Sequence, residues 1–405
     1  AARKVDITPA REMWMGGYSA RKGPGKGHST KLYAKVLVLD DSKEGRLVIV
    51  TLDLIGVPRT FRLAMEKEVH TRFGLPRAGL LLNASHSHSG PMIRVIPGFR
   101  PGEPDRAVYD RVPDEQEAKY VALVLEYRDQ LQSGILAAIE ECLANLEAVE
   151  LLYSEARCGF AMNRRLPTER GVINSPNPDG PVDHAVPVLQ VRTASKELRA
   201  ILFGYACHAT TLSFMTFSGD YPGWAQQYLE EDHPGTVAMF VAGAGGDQNP
   251  YPRRLAYWAP RHGRSLANAV EAGLLANPKR VTEFLKTAFA EVVLDYAKPP
   301  TRKQLEAKEA SSNRYEQRHG KFLLEYLDAT GALPSTYPYP VQVIRFGEQV
   351  TMVALGGEVV VDYSLRLKRE LLGKGIWVAG YSNDVMGYIP SVRVLNEGGY
   401  EGGGA

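Results

Sequence analysis

The sequence has few cysteines and almost no net charge. Its 3 cysteines, Cys142, Cys158 and Cys207, are too few and too scattered for a disulfide scaffold or a thiolate metal site. We expect three buried small side chains, and one disulfide plus a free thiol is the alternative. Lys and Arg total 48 against 46 for Asp and Glu, which excludes a strongly basic nucleic-acid surface.

Long hydrophobic runs are also missing. The longest apolar stretches, such as residues 47–57, contain charged or polar residues and fall short of the roughly 20 residues of a membrane-spanning helix. We therefore expect no transmembrane segment. The composition, 44% hydrophobic and 23% charged, is globular, and a chain of 405 residues can bury a large core without metal or disulfides.

Short β-rich runs alternate with helix-like segments along the chain. The patterns predict strands at 32–39, 47–54, 79–85, 149–153, 186–191, 198–206, 236–242, 341–346, 350–355 and 376–381. They predict helices at 60–73, 116–146, 221–231, 261–275, 303–328 and 359–372. Prolines interrupt residues 92–115, which predicts a long surface loop. This alternation indicates an α/β fold. Because no linker is visible, we expect one catalytic domain over residues 1–405.

The densest chemical signal is a histidine pair, His86 and His88, that follows a predicted buried strand. Residues two apart on a strand point to the same face, so both imidazoles can enter one cleft. Imidazole nitrogen is a preferred zinc ligand. Taken alone, the pair is equally compatible with two hydrogen-bonded loop histidines.

Two further ligand-type residues stand at predicted strand ends. His208 follows the strand 201–207, and Glu358 follows Leu355-Gly356-Gly357 before a predicted helix. A carboxylate there is also what a positive helix N-terminus favours. Three strands that each deliver a nitrogen or oxygen ligand at one end nevertheless make an open zinc site with room for water.

Other polar stretches are less specific. Gly245-Gly246-Asp247-Gln248-Asn249-Pro250 allows close backbone approach to a ligand, and an ordinary turn is the alternative. Ser382-Asn383-Asp384 follows the last predicted strand, and Arg164 supplies a cation that is otherwise an ordinary surface arginine. His28 has no ligand-type neighbours in the sequence.

Taken together, these stretches resemble the catalytic domain of the neutral/alkaline non-lysosomal ceramidases over nearly the whole chain. The most specific similarity is His86-Ser87-His88-Ser89-Gly90-Pro91, which is similar to the family's His-Thr-His-Ser-Gly-Pro. The other similar pieces are Val5-Asp6-Ile7-Thr8, Met15-Gly16-Gly17-Tyr18, Gly27-His28, Leu32-Tyr33-Ala34, Leu52-Asp53-Leu54, Asn163-Arg164, His208, Ser218-Gly219-Asp220, Gly357-Glu358, Ser382-Asn383-Asp384 with Tyr388, and Tyr400-Glu401-Gly402.

The resemblance implies a set of site residues. Zinc, one ion per chain, would be held by His86, His208, Glu358 and Tyr388. The implied catalytic residues facing the substrate amide are His88, Arg164 and Tyr400. The implied substrate-binding residues are Asn249, Asp247 and His28.

The resemblance also implies fold, activity and location. The fold would be α/β, with central mixed β-sheets flanked by helices and without the family's C-terminal immunoglobulin-like domain. The activity would be cleavage of the N-acyl bond of ceramide to a fatty acid and sphingosine without a covalent acyl-enzyme. We expect a lipid or small-molecule amide as substrate, transient contact with a membrane surface, no nucleic acid, no obligate protein partner, and a secreted, periplasmic or cell-surface location.

Two positions depart from the family pattern. Asn249 stands where the family has the serine of Gly-Asp-Val-Ser-Pro, and Gly387 precedes Tyr388 where the family has a histidine. We therefore expect a zinc-dependent amidohydrolase that uses metal-activated water, with His88 carrying the proton to the leaving nitrogen. The alternatives are a zinc-dependent esterase, lactonase or small-amide hydrolase, and a non-catalytic lipid- or sugar-binding relative.

Overall fold

A computed structural model describes residues 1–43, 45–96, 98–99, 105–107, 114–282, 284–371 and 375–404. Its helices are α1 (Arg59–Phe73), α2 (Asp114–Ala144), α3 (Asp220–Asp232), α4 (Trp258–Leu275), α5 (Arg302–Glu309), α6 (Arg314–Thr330), α7 (Val361–Glu370) and α8 (Val392–Glu397). Its strands are β1 (Ala2–Asp6), β2 (Tyr33–Asp40), β3 (Arg46–Leu52), β4 (Leu80–Ala84), β5 (Val95–Ile96), β6 (Arg106–Ala107), β7 (Val149–Arg157), β8 (Ala161–Thr168), β9 (Gly171–Asn177), β10 (Ala185–Thr193), β11 (Leu198–Tyr205), β12 (Val237–Ala242), β13 (Gln248–Pro250), β14 (Lys279–Arg280), β15 (Leu285–Asp295), β16 (Thr336–Phe346), β17 (Val350–Leu355), β18 (Glu358–Val359), β19 (Gly375–Ala379) and β20 (Tyr388–Ile389). The α/β class predicted from the sequence is confirmed.

The chain divides into two compact units. The first contains residues 1–93, 127–289 and 341–405, and the second contains residues 94–126 and 290–340. The single catalytic domain over residues 1–405 stays a prediction.

A five-stranded sheet with the order β12-β11-β10-β7-β14 lies at the centre of the first unit. Side chains alternate between its faces. Ile201 and Phe203 of β11 belong to a cluster with Leu229 of α3 and Val270 of α4. Leu202, between them, belongs to a second cluster on the opposite face. Both faces are therefore buried, which explains why β11 is apolar without interruption.

The second face of the central sheet meets two more sheets. Their strand orders are β1-β2-β3-β4 and β15-β16-β17-β19. Ile49 and Leu81 from the first of these, and Met352 and Trp377 from the second, join Leu202 in one buried cluster. Each of the three sheets contains one parallel pair, β11–β12, β3–β4 and β17–β19.

The second unit contains the helical hairpin of α5 and α6. Thr301 begins α5 with a capping box, in which its side chain accepts a hydrogen bond from Gln304 N and Gln304 Oε1 accepts one from Thr301 N. The Phe99 ring lies 5.2 Å from both Phe322 and Tyr326 of α6. These rings line an apolar cavity of about 1140 Å³ within this unit.

Two predicted elements differ from the structure. The helix predicted over 303–328 is two helices, because a short polar side chain between them bonds to the backbone: Asn313 N donates to Ser311 Oγ at 3.1 Å. The loop predicted over 92–115 ends at Asp114, where α2 begins, and contains the antiparallel pair β5–β6. The remainder of that loop, residues 97, 100–104 and 108–113, lies outside the described residues.

Two expectations drawn from absences can also be compared with the structure. Cys142, Cys158 and Cys207 are all buried free thiols, so the disulfide alternative is wrong. Within the described part of the chain, no helix combines the length and the apolar character needed to cross a bilayer.

Candidate metal centre

The polar segments of interest begin where the parallel strands end. His86 and His88 follow β4, His208 follows β11, and Glu358 follows β17. The carboxyl ends of parallel strands are where α/β folds place ligands. In this protein the ends of three separate sheets meet, so the prediction that several strand ends contribute to one site has a clear structural basis.

Asn83 fastens these strand ends together. Its Nδ2 donates to Gly380 O at 2.8 Å, and its Oδ1 accepts from Ala242 N at 2.9 Å. Asn383, in the left-handed region at φ 63°, accepts from Leu82 N through Oδ1 at 3.1 Å. One residue near the end of β4 and one from the loop after β19 therefore fix the ends of β4, β12 and β19, and this buried network holds the loops that carry the ligand-type side chains.

His86 reaches the site by a turn of the backbone rather than from a strand. Strand β4 ends at Ala84, and His86 is in the left-handed region at φ 59°. The expectation that the two histidines share a strand face is therefore wrong, although both side chains enter one site. His86 Nδ1 lies 2.7 Å from Ile55 O, and because a carbonyl only accepts, Nδ1 is the donor. Nε2 is left facing the site.

His208 is held in the same manner. Its Nδ1 donates to Gly245 O at 2.6 Å, which again leaves Nε2 toward the site. The side chain is completely buried. Burial, reinforced by the nearby Arg164 guanidinium, lowers the pKa of His208 to about 4, so the imidazole is neutral at neutral pH.

Glu358 brings a carboxylate against both rings. Its Oε2 lies 3.1 Å from His86 Nε2 and 3.2 Å from His208 Nε2. Burial by itself would raise the pKa of Glu358, but the two imidazoles outweigh it and keep the pKa well below its usual value. Glu358 does not open a helix, because it lies in the short strand β18 and α7 begins at Val361. In that strand it pairs directly with Tyr388 of β20.

The three atoms fit a small divalent cation. Nδ1 of each ring donates to a backbone carbonyl, so Nε2 is the nitrogen available to bind a cation, and the carboxylate oxygen only accepts. A bound cation would satisfy all three. Tetrahedral zinc, with ligands at about 2.0–2.1 Å, places ligand atoms roughly 3.3–3.4 Å apart, close to the spacing found here. His86, His88 and His208 also form a set whose ligand nitrogens lie within 4.8 Å of one another.

His88 lies against the same group. Its Nε2 is 3.1 Å from His86 Nε2, and its Nδ1 is buried without a hydrogen-bond partner among the described residues. The ring makes an edge contact with Tyr18 at a centroid distance of 4.9 Å. Burial and the neighbouring His86 lower the pKa of His88 well below its usual value, so this imidazole is neutral and able to accept a proton.

Arg164 lies beneath the group as a buried cation. Its Nε donates to Glu401 Oε1 at 2.7 Å, and its Nη2 donates to the Tyr388 hydroxyl at 2.9 Å. Arg165 donates to the second oxygen of Glu401 at 2.7 Å, so this carboxylate bridges two guanidiniums. Burial would lower the pKa of Arg164, but Tyr388 and Glu401 raise it above the usual value and keep the group charged.

The two tyrosines lie side by side. The Tyr388 ring is 6.5 Å from His208 and nearly parallel to it, and it contacts Tyr400 at 5.4 Å. Tyr400 is 42% exposed, whereas the phenol of Tyr388 is buried enough to hold its pKa well above the usual value. Tyr400 therefore lies on the open side of the group, and Tyr388 lies between it and His208.

Asn249, in strand β13, and Asp247, in the turn directly before that strand, differ in their surroundings. Asn249 Oδ1 accepts from Arg164 and from Thr210, and its Nδ2 is buried without a partner among the described residues. Asp247 instead accepts from Val361 N at 2.8 Å at the start of α7 and from Asn163 at 3.2 Å. Burial raises the pKa of Asp247 to about 6. Gly246 passes so close to a neighbouring strand that a Cβ would lie 2.5 Å from Glu358 O, so this glycine serves a backbone contact.

His28 lies elsewhere in the first unit. It is exposed and lines a cavity of about 480 Å³ together with Lys35, Asp53 and Glu230. The structure thus brings together nine of the predicted residues, counting Asp247 through its loop, and places His28 in this separate cavity. Its role in substrate binding stays a prediction.

Sequence reasoning missed Tyr381 as part of the site. Its ring stacks on His86 at 4.3 Å, and its hydroxyl is buried without a partner among the described residues. Its position, directly before the Ser382-Asn383-Asp384 segment at the end of β19, is the signal that could have found it. Glu401 was noted in a motif, but its bond to Arg164 could not be foreseen.

Comparison with known proteins agrees with this architecture. Residues 2–95 match the family described as neutral/alkaline non-lysosomal ceramidase, N-terminal. A neutral ceramidase from Pseudomonas aeruginosa has a similar fold, with a TM-score of 0.72, 22% identity, and coverage of 99% of this chain and 70% of that one. A ceramidase complexed with C2 is similar at a TM-score of 0.72 and 20% identity, over 99% of this chain and 71% of that one. No curated protein matches this chain by sequence. The predicted resemblance to the neutral ceramidase family and its fold is confirmed.

Proposed function

We propose that this protein is a zinc-dependent amidohydrolase that cleaves the N-acyl amide bond of a ceramide-like N-acyl lipid with water as nucleophile. The observation that carries the proposal is that Glu358 Oε2 lies 3.1 Å from His86 Nε2 and 3.2 Å from His208 Nε2. The N-terminal family match and the neutral ceramidase fold support the choice of an amide as substrate.

His86, His208 and Glu358 would hold the ion. Two imidazole nitrogens and one carboxylate oxygen form a ligand set found in catalytic zinc sites that keep an open position. Tyr388 completes the proposed set because it pairs in register with Glu358. His88 competes for that place, since its Nε2 is 3.1 Å from that of His86. A bound zinc ion lowers the pKa of a water to about 7 and polarises an amide carbonyl.

His88 is the proposed proton carrier. It is neutral because burial and His86 depress its pKa, so it can accept a proton from the attacking water. Amide cleavage then requires that proton on the leaving nitrogen, because an amine anion is a very poor leaving group. Nδ1 of His88, which has no partner among the described residues, is available for a hydrogen bond to the substrate.

Arg164 and Asn249 are the proposed donors to the carbonyl oxygen as it gains negative charge. Arg164 stays charged, and Glu401 fixes its orientation by a 2.7 Å bond. Asn249 offers an unpaired Nδ2 because Oδ1 is occupied by Arg164, which can only donate. One such donor contributes about 3 kcal/mol to transition-state stabilisation. Tyr400, at the open side, is proposed to contact the substrate as it enters.

The side chain of Asn249 also bears on the bond that is cleaved. It has no hydroxyl to form an acyl-enzyme at the position where the family has a serine, so the proposal uses direct attack by water. Esters and lactones need the same activated water but less help for the leaving group, and hydrolysis of such substrates is the competing activity. We further propose that the enzyme acts outside the cytoplasm, as the family resemblance implies. Its binding partner would be the amide substrate.

The test combines metal analysis with a matched substrate panel. Protein purified without added metal is expected to contain about one zinc per chain and to hydrolyse an N-dodecanoyl amide of a chromogenic amine. Removal of the metal with a chelator should abolish the activity, and zinc should restore it. Turnover of the matched dodecanoyl ester but not the amide would identify an esterase. Zinc binding with no turnover of either substrate would contradict the proposal.

A further inference from the structure

Two arginines follow strand β13 and contact no carboxylate of the described residues. Arg253 is half-buried and Arg254 is exposed. Their recorded contacts are a hydrogen bond to Thr210 and the faces of Tyr251 and Tyr18, and within the described residues no carboxylate oxygen lies within 4.0 Å of either. Arg165, on the neighbouring strand, contacts Glu401 at 2.7 Å and Glu397 at 3.1 Å.

Arg253 connects to the candidate metal centre through a short chain of hydrogen bonds. Its Nη1 donates to Thr210 Oγ1 at 3.3 Å. Because that oxygen accepts from Arg253, its own proton points to Asn249 Oδ1 at 3.2 Å. Arg164 donates to the same Oδ1 at 3.3 Å. One threonine and one asparagine are therefore all that separate Arg253 from Arg164.

Arg254 connects to the same centre by ring contacts. Its backbone is in the left-handed region at φ 78°, an uncommon conformation for a residue with a Cβ, and is held there by a 2.8 Å bond from its N–H to Thr211 O. Its guanidinium lies 5.4 Å from the centroid of the Tyr18 ring. The same ring touches His88, so Tyr18 lies between Arg254 and the proposed proton carrier.

Several guanidiniums act on one another at this side of the site, and the buried Asp220 is the acid that acts on Tyr18. Burial, then the neighbouring Arg254 and Arg164, lowers the pKa of Arg253. Arg164 contacts Glu401, whereas no carboxylate of the described residues lies within 4.0 Å of either of the two loop arginines. Unpaired guanidiniums this close to a reacting centre are best satisfied by an anionic group of a ligand, to which they can donate in pairs.

We propose that Arg253 and Arg254 bind an anionic group on the substrate, so that the substrate is an N-acyl amide carrying a carboxylate, phosphate or sulfate. This inference rests on the proposed function for the amide but adds its charge. Ceramide is uncharged, so the arginines would direct this enzyme to a different N-acyl lipid. The anionic group would lie beside Tyr18, which contacts His88, and beside Thr210, which donates to Asn249.

The test measures binding rather than turnover. Chelator-stripped protein is titrated with N-dodecanoylglycine and with the neutral N-dodecanoylglycine methylamide, which differ in the acid alone. We expect the acid to bind at least about tenfold more tightly at low salt, and the preference to shrink as the salt concentration rises. N-dodecanoyl-phosphoethanolamine, as a third probe, distinguishes phosphate from carboxylate.

Variants assign the preference to the two arginines. Arg253→Gln/Arg254→Gln should bring the affinity ratio of the acid to the methylamide within about twofold of unity. Arg72→Gln on helix α1, which removes one positive charge as Arg254→Gln does, should leave the ratio unchanged. Arg254→Gln alone, at an exposed position, should lower the ratio if the double variant does not fold. Equal affinity for the two probes in the wild type, or a preference that survives in both arginine variants, would overturn the inference.

The result also separates this inference from the proposed function. If the wild type prefers the acid but the zinc-loaded protein hydrolyses no amide, the amidohydrolase proposal fails and the anion site stands. If the zinc-loaded protein binds N-dodecanoylglycine and its methylamide equally and hydrolyses both equally well, the anion site fails and the amidohydrolase proposal stands.

Discussion

Two buried polar clusters in the first unit differ in how their charged groups are paired. The cluster at the strand ends gathers His86, His208 and Glu358, whose facing atoms all accept hydrogen bonds. The other cluster joins Lys35 to Glu230, with Oε1 2.6 Å from the ammonium. In the first cluster the Arg164 guanidinium reaches His208 Nε2 at 3.4 Å but bonds mainly to Glu401 and Tyr388, whereas in the second the cation and the carboxylate contact each other directly.

The remaining polar atoms differ in the same way. In the second cluster the Lys35 ammonium also donates to Ala238 O at 2.7 Å, and Asp53 accepts from Tyr33 N at 2.9 Å. In the first, Nδ1 of His88, Nδ2 of Asn249 and the hydroxyl of Tyr381 have no partner among the described residues. A cluster whose polar atoms are all paired stabilises a fold, whereas buried polar atoms without partners are typical of a ligand site. The contrast is what separates a structural site from a candidate active site.

The largest expected effect comes from Glu358→Ala. This change removes the acceptor that touches both imidazoles, so we expect zinc content to fall from about one per chain to near zero and amide hydrolysis to fall roughly 10⁴-fold. Metal analysis and turnover are measured on the same sample. Glu370→Ala, which removes an exposed carboxylate paired with Arg366, is the control. Full zinc occupancy in the Glu358 variant would show that the first cluster does not need its carboxylate for binding.

Glu230→Ala should produce the next largest effect, on stability rather than on metal. It leaves the Lys35 ammonium, 2% exposed, buried without its carboxylate, which costs about 3–5 kcal/mol of unfolding free energy. Urea unfolding measures the loss, and zinc content should not change. Lys35→Met/Glu230→Leu, which buries no unpaired charge, should lie closer to the wild type. Loss of zinc in Glu230→Ala would mean that the two clusters are coupled.

The order of the elements and the location of the site could be predicted from the sequence, because both depend on local patterns. The strand ending at Ala84 and the one ending at Tyr205 are long apolar runs, and ligand-type residues directly follow them. Polar residues that directly follow predicted strands therefore predict the location of the site. Family motifs added Arg164 and Tyr388, which no periodicity indicates.

Local sequence patterns do not indicate which residues that are far apart in the sequence contact each other. Nothing near Asn83 indicates that it bonds to Gly380 and Ala242, and nothing near Arg164 indicates Glu401. The left-handed backbone of His86 was missed for the same reason, since tertiary contacts impose it on a residue that does not ordinarily favour it. The hairpin of β8 and β9 was also missed, because its polar and charged residues hide the strand pattern.

Asp53 offers a smaller effect that depends on pH. Burial, partly offset by Lys35, raises its pKa to about 6 in the folded protein, above the usual value of 3.8. The folded state therefore binds more protons than the unfolded state between these values, so this group lowers stability as pH rises from about 4 to about 6. A pKa difference of about two between the folded and unfolded states corresponds to about 3 kcal/mol of unfolding free energy.

Asp53→Asn removes that ionisation. Relative to the wild type, the variant should gain up to about 3 kcal/mol between pH 4 and pH 7, measured as the change in the difference between their urea unfolding free energies. Comparing the difference at two pH values cancels any constant loss from the altered hydrogen bonds to Tyr33 and Gln226. A difference that does not vary with pH would show that the Lys35 cluster holds Asp53 ionised, and so balances its charges more completely than burial alone indicates.

The smallest expected effect is the change in unfolding free energy when the Tyr381 hydroxyl is removed. Tyr381→Phe keeps the ring stacked on His86 at 4.3 Å and removes an oxygen that has no partner among the described residues. Burying an unpaired hydroxyl is unfavourable, so chelator-stripped Tyr381→Phe should be more stable than the wild type by about 1 kcal/mol. Tyr205→Phe is the matched control, because that hydroxyl donates to Cys158 O at 2.8 Å and accepts from Ala161 N at 2.9 Å, and its removal should destabilise by about 1 kcal/mol. If both variants lose stability alike, the Tyr381 hydroxyl is bonded to water in the folded protein, and the strand-end cluster is less dependent on a ligand than its unpaired atoms indicate.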